Sequence, residues 1–178
     1  GNEQRANSDF AILYRTNSQS RSIEEALRKK DIPYRIYGGL SFYHRKEIKD
    51  LLAYFRLAIN PKDEEALKRI INYPKRGIGK TTLDKILLAA SQHEKSVLEV
   101  VKNPLKFGVH LSPSVIGKLN SFSKLIDTYH DIIEKGDAYD IASKISSSSG
   151  VLKELYIDKS IEGVTRYDNI QELLSGIK

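Results

Sequence analysis

Gly38-Gly39 constrains this chain more than any other feature, because the residues on its two sides follow different patterns. Paired glycines take backbone angles that other residues avoid, so a helix or strand running into them stops. Before them, Phe10-Ala11-Ile12-Leu13-Tyr14 is an apolar run of strand length, followed by the turn and cap formers Arg15-Thr16-Asn17-Ser18. Ser20 or Ser22 can cap a helix with Ile23, Ala26 and Leu27 on one face, and Asp31-Ile32-Pro33 ends it. Tyr34-Arg35-Ile36-Tyr37 then reads as a second strand. Strand, helix and strand with this connection length suit a parallel crossover. Two strands are too few for a stable sheet, so its other strands are expected elsewhere.

After the glycines, helical spacing runs to the end of the chain. Ile48, Leu51, Leu52, Phe55 and Ile59 share one face of a helix predicted over 44–59. Further helices are predicted near 63–72, 80–92, 95–102, 113–134, 137–147 and 149–157, with a last segment from about 166. The expected fold class is mainly α: a helical domain at 39–178, preceded by a short βαβ remnant at 1–38, with a hinge at Gly38 and Gly39.

With 178 residues, 40% of them hydrophobic, the chain can bury a core as one domain or two small ones. It has no cysteine, which excludes disulfides, thiolate metal sites and thiol nucleophiles and is compatible with a reducing cytoplasm. It has no methionine either, and so reads as a piece of a longer protein. No apolar run approaches the roughly 20 residues a membrane helix needs, and the first residues form no signal-peptide core. The balance of 29 Lys+Arg against 23 Asp+Glu, a formal charge of +6, suits a polyanionic partner or an ordinary solvated surface alike.

Gly77-Ile78-Gly79-Lys80-Thr81-Thr82 ends like a nucleotide phosphate loop, but its spacing is wrong. Such a loop needs a glycine five positions before the Gly of Gly-Lys-Thr, where this chain has Pro74, and a buried strand before it, where 67–71 reads as helix. The string fits better as the turn of a helix-hairpin-helix element. There Gly77 and Gly79 bring backbone N–H groups to a phosphate, Ile78 plugs the turn, and Lys75, Arg76 and Lys80 add charge. Contacts of this kind grip the DNA backbone without reading bases. An ordinary tight turn with incidental lysines accounts for the same residues.

Arg15, Thr16 and Asn17 sit where an α/β sheet presents ligands, and could donate to a phosphate or simply cap a helix. Tyr43-His44-Arg45-Lys46-Glu47-Ile48-Lys49-Asp50 reads as a solvated helix start, with Glu47 and Asp50 placed to pair with Arg45 and Lys49. Tyr37 and Tyr73 could stack on bases or be half-buried core residues. His44, His93, His110 and His130 have no metal-ligand spacing, and no carboxylate pair stands out.

Taken in order, 11–21 (Ala-Ile-Leu-Tyr-Arg-Thr-Asn-Ser-Gln-Ser-Arg), 33–39 (Pro-Tyr-Arg-Ile-Tyr-Gly-Gly), 42–50 and Arg76-Gly77-Ile78-Gly79 resemble the UvrD/Rep/PcrA group of superfamily 1 DNA helicases. The resemblance covers about 9–175 and is loosest after residue 84, where Thr165-Arg166-Tyr167-Asp168-Asn169-Ile170-Gln171-Glu172-Leu173 belongs to it. It implies that 1–38 begins the RecA-like 2A domain and 39–178 is most of the helical 2B domain. It further implies an ATP- and Mg-dependent parent moving 3′ to 5′ on single-stranded DNA. Arg15 and Asn17 would touch single-stranded backbone, and Gly77-Ile78-Gly79 with Thr82 would hold duplex. The phosphate loop, the Mg-binding acidic pair and the γ-phosphate arginines of that family have no counterpart here, so the piece alone is expected to be inactive. Its expected partners are DNA and the parent's other domains, with a protein-interaction or autoinhibitory role as the alternative.

Overall fold

The structure, a computed structural model, describes residues 6–16 and 19–177. Its helices are α1 (Ser20–Lys29), α2 (Lys46–Ile59), α3 (Glu64–Ile70), α4 (Lys80–Gln92), α5 (Val97–Lys102), α6 (Pro113–Ile132), α7 (Ala138–Ser148), α8 (Val151–Ile157) and α9 (Ile161–Ser175). Most start where a short polar side chain can accept an otherwise unpaired N–H. Asp63 caps α3, Ser96 and Glu99 form a reciprocal box on α5, Ser112 followed by Pro113 opens α6, and Asp137 and Ser160 cap α7 and α9.

Helix α2 is the hub, with α3, α6, α7 and α9 packed around it. Its inward residues Leu51, Tyr54 and Leu57 are fully buried, and they meet a core that includes Leu67, Ile70, Ile86, Phe122, Ile126, Ile145 and Ile170. Each such aliphatic or aromatic side chain stabilises the fold by roughly 1.5–3 kcal/mol. No helix of the described residues is long and apolar enough to cross a membrane.

Three expectations need correction. Residues 10–14 and 34–37 form no strand among the described residues, and all their apolar side chains but the half-buried Ile36 stay outside, Leu13 at 94% and Tyr37 at 82% exposure. A strand needs a ladder partner, and the described residues supply none. None of Ile23, Ala26 and Leu27, expected on one face of α1, is fully buried; its buried residues are Ser20 and Glu24. The last helix begins at Ile161 instead of about 166. Gly163 weakens the helical pattern there, yet it is the residue that fits, because a Cβ would lie 2.4 Å from the Asp158 carbonyl oxygen.

Candidate nucleic-acid interface

The turn between α3 and α4 is built around Asn72 and Arg76. Asn72 Oδ1 accepts the N–H of Arg76 at 2.9 Å and of Ile78 at 3.1 Å, which curls the backbone, while Gly77 takes a φ of 73° that an L side chain rarely adopts. Ile78 is 2% exposed and plugs the turn into the core, as the sequence predicts. Gly79 precedes α4 with no side-chain cap, and among the described residues the N–H groups of Gly77, Gly79, Lys80 and Thr81 meet no acceptor. Those donors, at the positive end of a helix, form a surface suited to an anion. Lys75 and Lys80 are exposed beside them, and Thr82 is half-buried in the first turn of α4.

Arg76 has a different role from its neighbours. One guanidinium nitrogen donates to the carbonyls of Ile70 at 2.9 Å, Tyr73 at 2.8 Å and Pro74 at 3.3 Å; the other donates to the Tyr54 hydroxyl at 2.6 Å and the Ser149 carbonyl at 3.2 Å. Its charge therefore knits the turn to α2 and to the junction of α7 and α8. Tyr54 in turn donates to the Tyr73 carbonyl, and burial pushes its phenol up to about 12. Burial likewise raises Tyr73, whose ring has the Lys46 ammonium 4.5 Å from its centroid.

Sequence spacing missed Lys118. This α6 residue reaches the turn from outside, and its Nζ lies 2.7 Å from where a Cβ on Gly77 would stand. Gly77 is required by its backbone angle, and the tip of the lysine chain lies over it. No local signal marks Lys118, since α6 follows the turn by some 40 positions in sequence.

The other expected site residues lie outside this turn. Arg15 and Thr16 are exposed, their N–H groups donating to Gln19 Oε1 at 3.0 and 3.2 Å; Asn17 falls outside the described residues. Gly38, with φ of 79°, and Gly39 are exposed, with nothing within 4 Å of a Cβ on either. The stretch 43–50 is not the solvated helix start its charges suggested. Arg45, Glu47 and Asp50 are buried, Asp50 pairing with Lys46 at 2.9 Å and Arg69 at 2.7 Å, because the folded chain brings partners from α1, α3 and α9. Among the described residues no three His, Cys, Asp or Glu side chains group to hold a metal ion.

The Gly-Lys-Thr string lacks the surroundings of a phosphate loop. It follows a helix, and Pro74 and the inward-turned Arg76 stand where a phosphate loop would wrap its ligand.

The sequence profile described as "UvrD-like helicase C-terminal domain" matches residues 2–175. The ATP-dependent DNA helicase PcrA of Bacillus subtilis is 42% identical over 171 residues, which is 96% of this chain and 23% of that protein. PcrA of Staphylococcus epidermidis is 40% identical over 168 residues, 94% of this chain and 23% of that protein. PcrA of Staphylococcus aureus is 38% identical over 167 residues with the same two shares. The chain thus spans about a quarter of the length of these relatives.

Proposed function

The chain belongs to the family of UvrD-like helicase C-terminal domains, and from that premise we propose that it is the duplex-gripping part of an ATP-dependent 3′ to 5′ DNA helicase. The observation that carries the reading is the turn between α3 and α4, taken as a helix-hairpin-helix element. Unpaired N–H groups, Lys75, Lys80 and the overlying Lys118 converge there on a surface with no carboxylate partner among the described residues. Donors of this kind fit phosphate oxygens and ignore base identity. Arg76 holds the turn in shape and is read as a support of the contact. Thr82 is read as a further hydroxyl contact at the start of α4.

Residues 1–38 are read as the start of the 2A domain, where Arg15, Thr16 and Asn17 meet single-stranded backbone, and 39–178 as the 2B domain. Gly38 and Gly39 join them. ATP and Mg act elsewhere in the parent, and the chain alone hydrolyses nothing. The proposed setting is cytoplasmic, in DNA repair.

The test is fluorescence anisotropy with a labelled duplex. Lys75→Ala, Lys80→Ala and Lys118→Ala together should weaken binding by about tenfold or more at low salt, with an unchanged circular dichroism spectrum. Equal affinity of the triple variant rejects the reading.

A second reading, a docking role toward other parts of the parent, draws on a different surface. Tyr156, Ile157, Ile161 and Val164 at the α8–α9 corner are 61%, 66%, 89% and 49% exposed. Loss of association with the rest of the parent on Tyr156→Ser with Ile161→Ser, but not on the lysine substitutions, would favour it.

A further inference from the structure

Helix α1 is joined to the helical body by polar contacts, with no apolar side chain of its own fully buried. Glu24, 2% exposed, is the centre of that seam. Its Oε1 accepts the N–H of Phe42 at 2.9 Å, and its Oε2 accepts the hydroxyls of Tyr34, at 3.1 Å, and Ser41. Tyr34 precedes the glycine pair and Ser41 and Phe42 follow it. One carboxylate therefore fastens both ends of the strap that contains Gly38 and Gly39.

The fastening continues into the body. Ser20 hydrogen-bonds to Glu24 and accepts from Arg45 at 2.7 Å. Arg45, 8% exposed, also donates to Asn169 Oδ1 at 2.9 Å, and Asn169 donates to Glu47 at 2.6 Å. At the rim, Arg21 pairs with Glu172 at 3.0 Å. Among the described residues no buried side-chain polar atom is left without a partner. Three segments distant in sequence, α1, the start of α2 and α9, meet in this one network.

Gly38 and Gly39 face open space, where a Cβ on either would meet nothing within 4 Å. An apolar seam resists opening in proportion to its area. A hydrogen-bonded seam has a defined geometry, and because water replaces the partners as it opens, each bond contributes far less than its gross strength.

We propose that Glu24 is a positioning residue: it clamps both flanks of the Gly38-Gly39 strap, so the angle between α1 and the helical body is set by a releasable polar clamp. The inference rests on the reading of the glycine pair as the joint between two domains. Any swing about that joint first hands the donors on Glu24, and with them the partners of Arg45, to water.

The absence of cysteine allows a direct test in this chain. Spin labels on Lys29→Cys and Glu65→Cys report the placement of α1 against α3, and labels on Glu65→Cys and Asn120→Cys report the body alone; all three positions are exposed. Double electron–electron resonance should give one narrow distance for each pair. Glu24→Ala should broaden or split the first distance, leave the second narrow and speed amide exchange at Phe42. Glu24→Gln, which keeps an acceptor for the Phe42 N–H, should fall between. A first distance that stays narrow in Glu24→Ala overturns the clamp, as does broadening of both pairs together. A first distance already broad with Glu24 present also overturns it, while leaving the duplex reading to the lysine variants.

Discussion

Lys75 and Arg76 are adjacent cations with separate tasks, and substitution should tell them apart. Arg76→Ala removes charged hydrogen bonds to several carbonyls and should cost roughly 1.5–3 kcal/mol in denaturant unfolding. Arg76→Lys should recover little of it, because a single ammonium cannot replace the planar fork. Lys75→Ala is exposed and should stay within about 0.5 kcal/mol, its effect showing in DNA affinity instead. Ile78→Ala should cost about 2–5 kcal/mol by emptying the plug. The charge of Arg76 is plain in the sequence but its inward turn is not, since Tyr54 and Ser149 stand 22 and 73 residues away.

Helices α2 to α8 are close to what apolar spacing and polar caps predict, because local propensity and the buried face agree along them. Helix α1 is the exception. Its apolar stripe suggested an ordinary packed face, whereas the residue that decides its seat is an acid whose partners only the fold assembles. Two pH effects belong to these elements. Burial alone would raise the Glu24 carboxyl, but hydrogen bonds from Ser41, the Phe42 N–H, Tyr34 and Ser20 together hold it below its ordinary 4.5. Arg45 and Arg28 are the cations that face it. A depressed carboxyl contributes stability that is fully present above 4.5 and lost as pH falls through the lower folded value. The Phe42 amide should therefore lose protection on acidification before the core does, and in Glu24→Gln that early loss should vanish. Tyr54 has the opposite sign. Its raised phenol stabilises the fold below its ordinary value of 10.0, and that contribution is lost as pH climbs toward about 12. Tyr54→Phe should flatten part of the alkaline fall in unfolding free energy.

At the scale of the molecule, two proposed DNA-handling surfaces lie on one chain, the Arg15–Thr16 region before the glycine strap and the α3–α4 turn beyond it, with the Glu24 seam between them in sequence. The order of the segments was legible from the sequence, because turn residues and helical periods are local. The convergence of Lys118 on Gly77 and of Asn169 on Arg45 was not, because each joins helices that only the packed core brings together. The central claim is that the turn grips phosphate. Duplex affinity measured across a series of salt concentrations tests it most directly, since each phosphate contact contributes about 0.9 to the slope of log affinity against log salt. Removing Lys75, Lys80 and Lys118 together should lower that slope by about 2 to 3 with the fold intact. An unchanged slope in the triple variant would contradict it.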